Sequence, residues 1–406
     1  MREPSQIMTE TRSRPYRLLA LVSHVIQYQV PLYRQLAADP RIDLTVVFCS
    51  DWGLKDYLDE GFGQNVRWDG LSLEGFRWNL LRNCALRPNP ARFFGLFNPD
   101  VMWYIRRRRF DALWVHGWAS LTNWVAMSTA FLTGVPVLLR AETNLLPVQP
   151  PWKKMVKRFV LANLLGRISA ALAVGQRNLE FYNEYGVNEA RIFRVPYAVN
   201  NQYFGEQASK LPPKRELKQK LSIPEDLPVI LFCGKLTHVK RPFDLLRAFH
   251  DASASLPAAL LYVGDGALRQ ELESYVASNR ISHVYFAGFR NQSELSSYFG
   301  ASDLFVLPSG REPWGLVVNE AMNFGLPILC SDQVGCAADL VHAGVNGMIF
   351  PAGNVDALAS AIRTILADDS MRSAMGTQSR NLIAKWSYDE DVEGVVAALD
   401  AVHLRV

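Results

Sequence analysis

The sequence predicts an α/β fold built from two doubly wound, Rossmann-like domains that face each other across a central cleft. Apolar runs of strand length alternate with helix-length segments through both halves of the chain, which is typical of parallel sheets covered by helices on both faces. The alternation stops over residues 201–227, a polar stretch with prolines, and then resumes. The length of 406 residues also suits two domains.

The first half of the chain contains five apolar runs of strand length. Each run is nearly continuous, as expected for strands that are buried on both faces. The runs are RLLALVS (17–23), LTVVFC (44–49), ALWVH (112–116), PVLLR (136–140) and ALAVG (171–175).

The second half repeats the pattern after a predicted linker and short helix over residues 201–227. Ser387 and Glu390 form a capping-box pattern, which predicts a final helix. The six apolar runs are PVILFCG (228–234), AALLYVG (258–264), HVYFAG (283–288), DLFVLPS (303–309), LPILCS (326–331) and GMIF (347–350).

These elements divide the chain into domains. We predict a flexible tail over residues 1–14, a first domain over 15–203 and a second domain over 204–387, with helix 388–406 completing the first domain. Ligands of such sheets bind beyond the carboxyl ends of the strands. The residues at predicted strand ends are therefore the first candidates for a binding site: His24, His116, Arg140, Glu142, Lys235, Gly264, Gly288 and Glu312.

Composition narrows the class of protein. The net charge of +4 is too small to indicate a nucleic-acid-binding protein, although residues 1–200 carry 25 Lys and Arg against 16 Asp and Glu. Five cysteines without CxxC spacing, and an N-terminus without an apolar segment, favour a cytoplasmic protein. No His/Cys cluster has metal-ligand spacing, and the one D-x-D lies within the capping box, so we expect no metal and no cofactor.

The segment 303–335 is the richest in candidate functional residues. A predicted strand ends near Pro308, and Glu312 precedes a helix predicted from about Leu316 to Phe324. Glu320 lies within that helix, and seven residues separate it from Glu312, so both carboxylates can line one pocket wall. Carboxylate oxygens suit sugar hydroxyls, since each can accept two hydrogen bonds, and the amides at a helix start suit an anion.

This segment resembles the E-x7-E motif of the retaining, GT-B-fold glycosyltransferases of family 4. DLFVLPS…E…GLVVNEAM…GLPIL matches that motif nearly throughout, and LFCGKLTHVKRPFDLLRAF resembles the strand, loop and helix that carry the family's basic pair. The resemblance implies that Glu312 holds the donor sugar and that Glu320 holds the ribose. It also implies that Lys235 and Lys240 neutralise the diphosphate.

The resemblance extends to the rest of the donor site. It implies that the amides of residues 315–317 face the leaving diphosphate and that a corner of the second domain contacts the base, largely through its backbone. The residues at these positions are Gly315, Leu316 and Val317 at the helix start, and Gly288, Phe289 and Arg290 at the corner.

The resemblance is looser in the first half. It implies that His116, at the end of the run ALWVH, faces the donor sugar and the reacting centre. Arg140 and Glu142 are candidates for holding the acceptor, or they form a structural pair. The family's glycine loop after the first strand is absent, and SHVIQYQVPLY follows instead. Either His24 and residues 27–29 replace that loop, or the acceptor side is built differently.

The resemblance implies transfer of a sugar from a nucleotide-diphosphate donor to a hydroxyl acceptor, with retention and without a metal. The acceptor is a glycan, a lipid-linked molecule or a small molecule, and polysaccharide biosynthesis is the expected setting. No obvious nucleophile lies opposite Glu312, which favours front-face displacement. The alternatives are a nucleotide-sugar epimerase, a sugar phosphorylase, or a non-catalytic sugar-nucleotide-binding protein.

Basic residues concentrate at Arg106–Arg109 and in the predicted helix 152–161. In that helix, the arc of Lys153, Lys154, Lys157 and Arg158 lies opposite Met155, Val156 and Phe159. Two interpretations stay open. Either the helix contacts an anionic membrane or a lipid-linked diphosphate, with the protein peripheral on the inner face of the membrane, or the lysines are solvated and the apolar side covers the core.

Overall fold

The computed structural model of the protein describes residues 14–59, 61–69, 71–146 and 150–404. Two parallel sheets form the framework, and helices cover both faces of each. The predicted fold class is therefore confirmed. Nearly all of the predicted N-terminal tail, and the last two residues of the predicted final helix, lie outside the described residues.

The first sheet has seven parallel strands in the order β5-β2-β1-β6-β7-β8-β9. Its core strands are completely buried because apolar side chains point to both faces. A separate antiparallel hairpin, β3–β4, leaves the sheet after β2. The strands are β1 (Tyr16–Val22), β2 (Ile42–Phe48), β3 (Tyr57–Asp59), β4 (Gln64–Val66), β5 (Arg77–Leu80), β6 (Ala112–His116), β7 (Val137–Arg140), β8 (Ala170–Ala173) and β9 (Ile192–Arg194).

All five predicted runs of the first half are strands, namely β1, β2, β6, β7 and β8. The two edge strands were not predicted. All four residues of β5 are exposed, and β9 is three residues long and only half-buried. Neither strand therefore has the continuous apolar run by which a buried strand is recognised.

Five helices cover the first sheet between its strands. The first packs against one face of the sheet, while the other four bury apolar side chains against the opposite face. They are α1 (Gln29–Ala38), α2 (Asp100–Arg107), α3 (Leu121–Thr133), α4 (Pro151–Arg167) and α5 (Gln176–Glu184).

The connection between the sheets is more ordered than a linker with one short helix. It forms α6 (Asn201–Ser209) and α7 (Lys214–Lys220). The Asn200 side chain accepts a hydrogen bond from the Tyr203 amide at 3.0 Å and so caps α6. Phe204 is fully buried, and this single apolar anchor in a polar stretch explains why the sequence did not indicate the helix.

The second sheet has six parallel strands in the order β12-β11-β10-β13-β14-β15. All six predicted runs are present in it. The strands are β10 (Val229–Cys233), β11 (Ala259–Val263), β12 (Val284–Gly288), β13 (Leu304–Leu307), β14 (Ile328–Ser331) and β15 (Gly347–Phe350). Its helices are α8 (Pro242–Ser253), α9 (Arg269–Ser278), α10 (Gln292–Ala301), α11 (Leu316–Asn323), α12 (Ala337–Leu340), α13 (Val355–Leu366) and α14 (Asp369–Ile383).

The last helix, α15 (Tyr388–His403), returns to the first sheet. It begins with the predicted capping box of Ser387 and Glu390, and its apolar side chains join the core that α1 also covers. Asp391 in its first turn forms a buried ion pair with Arg140 at the end of β7, at 3.4 Å. Burial raises the pKa of Asp391 to about 7, and Arg140 opposes that rise.

This pair predicts a stability pattern across three variants. In Asp391→Leu the Arg140 guanidinium stays buried without its carboxylate, so we expect a loss of about 3–5 kcal/mol. The double variant Arg140→Leu/Asp391→Leu removes both charges and should be markedly more stable than Asp391→Leu. Denaturant unfolding at pH 8, where Asp391 is ionised, measures the difference. Equal losses in the single and double variants would show that the pair is not the cause.

Candidate functional site

A cavity of about 610 Å³ lies between the carboxyl ends of the first sheet's strands and a loop of the second sheet. Its walls come from the ends of β1, β6 and β7, from α4, and from the loop before α11. The residues that line it are Val22, Ser23, Ile26, Gln29, His116, Gly117, Trp118, Ala119, Arg140, Ala141, Glu142, Thr143, Asn144, Leu146, Lys157, Tyr197, Gly310, Arg311, Glu312, Pro313 and Gln333.

His116 lines this cavity at the end of β6, and both of its ring nitrogens are engaged. The Gln29 amide nitrogen donates to Nδ1 at 3.3 Å, and Nε2 lies 3.3 Å from the Tyr33 hydroxyl. That hydroxyl in turn donates to Gln29 Oε1 at 2.8 Å, so Nε2 carries the proton that it donates to Tyr33. Burial, reinforced by Arg140, lowers the pKa of His116 to about 3, and the ring is neutral at physiological pH.

Glu312 lines the same cavity from the opposite side. Its carboxylate forms an ion pair with the Lys240 ammonium, and both side chains are largely buried. Gly315, three residues later, has φ = +101° and begins α11. A β-carbon there would lie 3.2–3.3 Å from Leu307, Glu312 and Val334, so glycine is needed both for the backbone conformation and for the close packing around Glu312. Leu316 and Val317 follow as the first residues of α11.

The other predicted phosphate ligand, Lys235, is paired with the first domain. Its ammonium lies 2.7 and 2.9 Å from the two carboxylate oxygens of Asp59, at the end of β3. It also lies 4.9 Å from the centre of the Phe62 ring, in the turn of the same hairpin. The β3–β4 hairpin therefore covers the predicted diphosphate position in this structure.

Glu320, the second glutamate of the motif, is almost completely buried at 2% exposure. It accepts a hydrogen bond from the Tyr28 hydroxyl, just before α1 of the first domain, and Oε1 has no partner among the described residues. Burial raises the pKa of Glu320 to about 8, partly offset by Tyr28. The two motif glutamates thus lie in different surroundings, one open to the cavity and one enclosed between the domains.

The predicted base corner also contacts the first domain. Gly288 has φ = +76° and ends β12. The Phe289 ring lies 4.9 Å from the ring of Phe62 and 5.8 Å from that of Trp68, centre to centre. Arg290 pairs with Glu294 at 3.1 Å. The corner is therefore an aromatic contact between the domains, centred on Phe289.

The predicted acceptor residues have different surroundings. Arg140 and Glu142 both line the cavity, but they do not form the structural pair with each other that the sequence left open. Arg140 is paired with Asp391 and donates to the carbonyl of Pro196 at 2.8 Å. Glu142 accepts a hydrogen bond from the Tyr197 hydroxyl at 2.7 Å.

His24 is not among the residues that line the cavity. It bonds to the Ser23 hydroxyl through Nδ1 at 2.9 Å, its ring packs against Trp52, and burial lowers its pKa to about 4. Of residues 27–29, Gln29 reaches the cavity and contacts His116. In the segment after β1, Gln29 therefore supports His116, and Tyr28 contacts Glu320.

Sequence analysis missed several residues of the site. Asp59, Phe62 and Trp68 lie on a hairpin with no motif, far in sequence from the residues that they contact. The sequence placed Lys157 in a basic arc that faces either lipid or solvent, whereas Lys157 lines the cavity; it gave no role to Arg311, which lies beside Glu312. For Arg311, its position directly before the motif glutamate was the one available signal.

In the described part of the chain, no three His, Cys, Asp or Glu side chains are grouped so that they could hold a metal ion. No helix within the same residues is long and apolar enough to cross a membrane.

The burial of Glu320 predicts a pH-dependent contribution to stability. The folded protein binds this proton more tightly than the unfolded chain, whose glutamates have the ordinary pKa of 4.5. Protonated Glu320 therefore contributes its full stabilisation below pH 4.5, the pKa of glutamate in the unfolded chain. This stabilisation is lost as the pH rises towards 8, by at most about 1.4 kcal/mol per pH unit.

Glu320→Gln cannot ionise, so its melting temperature should fall less than the wild type's between pH 5.5 and 8.5. A smaller slope remains because Asp391 shifts in the same direction. Parallel pH profiles for wild type and variant would contradict the expected titration of Glu320.

Comparisons with known proteins cover both halves of the chain. Residues 25–198 match the family model described as "Glycosyl transferase 4-like domain". Residues 213–382 match the model described as "Glycosyl transferases group 1". Between them the two models match most of the chain.

One relative is a sulfoquinovosyl transferase from Arabidopsis thaliana, 25% identical over 311 residues. The match covers 75% of this chain and 57% of the relative, so the chain spans little more than half of that protein's length.

Among solved structures, a glycosyltransferase from Rickettsia africae has a TM-score of 0.73 at 14% identity, with 97% of this chain and all of that chain covered. The Anabaena protein Alr3699/HepE in complex with UDP has a TM-score of 0.71 at 18% identity, covering 94% and 98% of the two chains. These likenesses concern the fold. Together with the two family models, they show that the chain belongs to the GT-B glycosyltransferases.

Proposed function

We propose that the protein transfers a sugar, of the hexose type, from a nucleoside-diphosphate donor to a hydroxyl acceptor, with retention and without a metal. The observation that carries the proposal is the position of Glu312, whose carboxylate lines the interdomain cavity and is paired with Lys240. The resemblance of the motif assigns these two residues to the donor sugar and the diphosphate. The UDP complex of the Anabaena protein supports a nucleotide donor.

In this proposal the donor replaces contacts that the side chains now make with one another. Its diphosphate takes Lys240 from Glu312 and Lys235 from Asp59, and the Glu312 carboxylate then faces the sugar. The amides of Gly315 to Val317 add positive dipoles at the start of α11. Stabilising the charge on the leaving diphosphate is the largest catalytic contribution that these residues can make.

Front-face displacement completes the mechanism. The bond from the anomeric carbon to the phosphate oxygen breaks, and the acceptor oxygen bonds to that carbon on the same face. The acceptor's proton passes to the departing phosphate oxygen. His116 is neutral with both ring nitrogens bonded, so its proposed part is to shape and polarise the cavity wall beside the sugar, without taking the proton.

The compartment and setting are also part of the proposal. All five cysteines are free thiols in the structure, which supports a reducing cytoplasm. We propose that the reaction serves polysaccharide or glycolipid assembly there.

A direct test first measures how much each of several nucleoside diphosphates stabilises the protein, and then uses the corresponding sugar nucleotides as donors. A nucleotide at 100 times its dissociation constant should stabilise the protein by about 2.7 kcal/mol. The corresponding sugar nucleotides should then yield a glycosylated product with a hydroxyl acceptor. If conversion of the sugar nucleotide itself proceeds without an acceptor, the protein is an epimerase, and the transferase proposal is wrong.

The two motif glutamates should fail in different ways. Glu312→Gln keeps the size of the side chain and loses the charge that faces the sugar. We expect its single-turnover rate to fall about 100- to 1,000-fold. The nucleotide product should bind no more weakly, because its diphosphate no longer has to displace Glu312 from Lys240. Glu320→Gln should weaken binding of the sugar nucleotide and of the nucleotide equally, because both carry the ribose.

Calorimetry and single-turnover kinetics on both variants measure these effects. If Glu312→Gln weakens product binding as much as Glu320→Gln does and leaves the rate unchanged, the roles are assigned wrongly.

Peripheral contact with an anionic membrane is a finer proposal, supported by α4. Met155 and Phe159 are 70% and 74% exposed and lie four residues apart on one helix face. These two side chains therefore do not cover the core, as one of the two interpretations of this helix from the sequence required. The side chains of Lys153 and Lys154 lie outside the described ones. Exposed apolar side chains beside basic residues are typical of helices that rest in a lipid interface.

A second surface of the same domain has the same chemistry. Residues 77–109 contain eight arginines and one acidic residue. Phe94 and Trp103 are mostly exposed, and the Arg107 guanidinium lies 3.9 Å from the centre of the Trp103 ring. Aromatic rings with arginines suit the interface of an anionic bilayer.

The membrane proposal predicts binding to vesicles that contain anionic lipid, and weaker binding as salt rises. Met155→Ser/Phe159→Ser and Phe94→Ser/Trp103→Ser should each reduce co-sedimentation several-fold and leave nucleotide binding intact. Val345→Ser, which removes an exposed apolar side chain of the second domain, is the control. Failure of the wild type to sediment with anionic vesicles at low salt would exclude this contact.

A further inference from the structure

Two cations face the cavity without a carboxylate partner. Lys157 extends into it from α4 of the first domain, and Arg311 lies in the second-domain loop beside Glu312. No described Asp or Glu lies within ion-pair distance of either side chain. Three other cations near the cleft do have carboxylate partners: Arg140 pairs with Asp391, Lys235 with Asp59, and Lys240 with Glu312.

The two unpaired charges are close enough to disfavour each other. Lys157 is half-buried; its desolvation lowers its pKa, and the charge of Arg311 lowers it further. Two like charges that face one cavity repel each other, and an anion between them relieves that repulsion. The nearest compensation that Lys157 has is the Phe181 ring, whose centre lies 5.6 Å from its ammonium. Arg311 is exposed and Lys157 is half-buried, so both cations are accessible to an anion that enters the cavity.

The remaining wall of this part of the cavity is aromatic and polar. Trp118 lines it directly after the end of β6, and its ring stacks on Phe181 at 5.9 Å. Glu142 lies on the same wall and accepts a hydrogen bond from Tyr197. A flat indole suits the apolar face of a sugar or polyol ring, while a carboxylate suits its hydroxyl groups.

We propose that the acceptor carries a phosphate group, held between Lys157 and Arg311, beside the hydroxyl that receives the sugar. The charge of a phosphate group approaches −2 at neutral pH. Two cations therefore match a phosphate better than they match a single carboxylate, whose charge is −1. The arginine fork can also bind two phosphate oxygens at once. This inference deepens the proposed function and rests on it, because it names the substrate class of the same cavity.

The position of the two cations has a consequence for domain closure. Lys157 belongs to the first domain and Arg311 to the second, so one phosphate between them contacts both domains. Its binding therefore favours the arrangement in which the cavity is formed. A water-soluble phosphorylated acceptor and a lipid-linked diphosphate both present the required oxyanion.

The first test measures binding of inorganic phosphate by calorimetry with the nucleoside diphosphate present at saturation, so that Lys235 and Lys240 are occupied. Lys157→Gln and Arg311→Gln should each weaken phosphate binding about 10-fold or more, and Lys157→Arg should restore it. Arg158→Gln is the matched control, since Arg158 is the next residue of α4 and faces Glu184 at 3.8 Å. Affinity for the nucleoside diphosphate should not change in any of these variants.

The second test separates the two sources of phosphate. Phosphorylated sugars in solution and a polyprenyl diphosphate sugar in detergent are compared as acceptors, each against its unphosphorylated counterpart. We expect one class of phosphorylated acceptor to be glycosylated, and its phosphate-free counterpart to react at least 10-fold more slowly. In Lys157→Gln the two rates should become equal. Equal use of phosphorylated and unphosphorylated acceptors, or phosphate binding unaffected by both substitutions, would overturn the proposal.

Failure of the proposed function gives a different result. If no nucleoside diphosphate binds, the transferase proposal fails. The phosphate titration of wild type, Lys157→Gln and Arg158→Gln, run without nucleotide, then still shows whether Lys157 holds an anion.

Discussion

The buried ion pair between Arg140 and Asp391 fixes the last helix of the chain against the first sheet. A guanidinium cannot lose its proton in a protein, and its burial without a counter-charge is strongly unfavourable. The buried position of Arg140 at the end of β7 therefore depends on α15, which supplies the carboxylate of Asp391 when it packs against the first sheet. The same helix supports the first domain elsewhere, since the Tyr388 hydroxyl donates to the carbonyl of Tyr28 at 2.7 Å. Tyr28 in turn contacts Glu320, so a helix from the end of the chain influences both walls of the cleft.

Within the cleft, the side chains of the predicted donor site satisfy one another. Lys240 is paired with Glu312, and Lys235 with Asp59 from the opposite domain. In the proposed function, donor binding is therefore an exchange of ionic partners, and its free energy is the difference between two sets of contacts. Because Asp59 is on the β3–β4 hairpin of the first domain, the exchange at Lys235 also releases a contact between the domains. The donor then replaces that contact, which couples its binding to the position of the hairpin.

Elements that bury a continuous apolar run were predictable from the sequence, whereas elements stabilised by distant contacts were not. All eleven predicted strands are present, and all but the edge strands β12 and β15 are largely buried on both faces of a sheet. The exposed edge strand β5 and the β3–β4 hairpin carry no such signal. The motif placed Glu312 and Lys240 near each other, but it could not show that Glu320 is enclosed by Tyr28. For Arg140, the partner was 251 positions away in the sequence, and local patterns cannot reveal a contact at that separation.

The state of His116 constrains the chemistry that the cleft can perform. A histidine acts as a base through an unprotonated nitrogen that is free to receive a proton. Here Nδ1 accepts from Gln29, and Nε2 carries a proton directed at Tyr33. With its pKa lowered to about 3, the imidazole also gains little from taking a second proton. The acceptor's proton must then go elsewhere, and in a front-face reaction the departing phosphate oxygen is both adjacent and increasingly basic as the bond breaks. The hydrogen-bonded histidine and the proposed role of the leaving group are therefore two consequences of one arrangement at the end of β6.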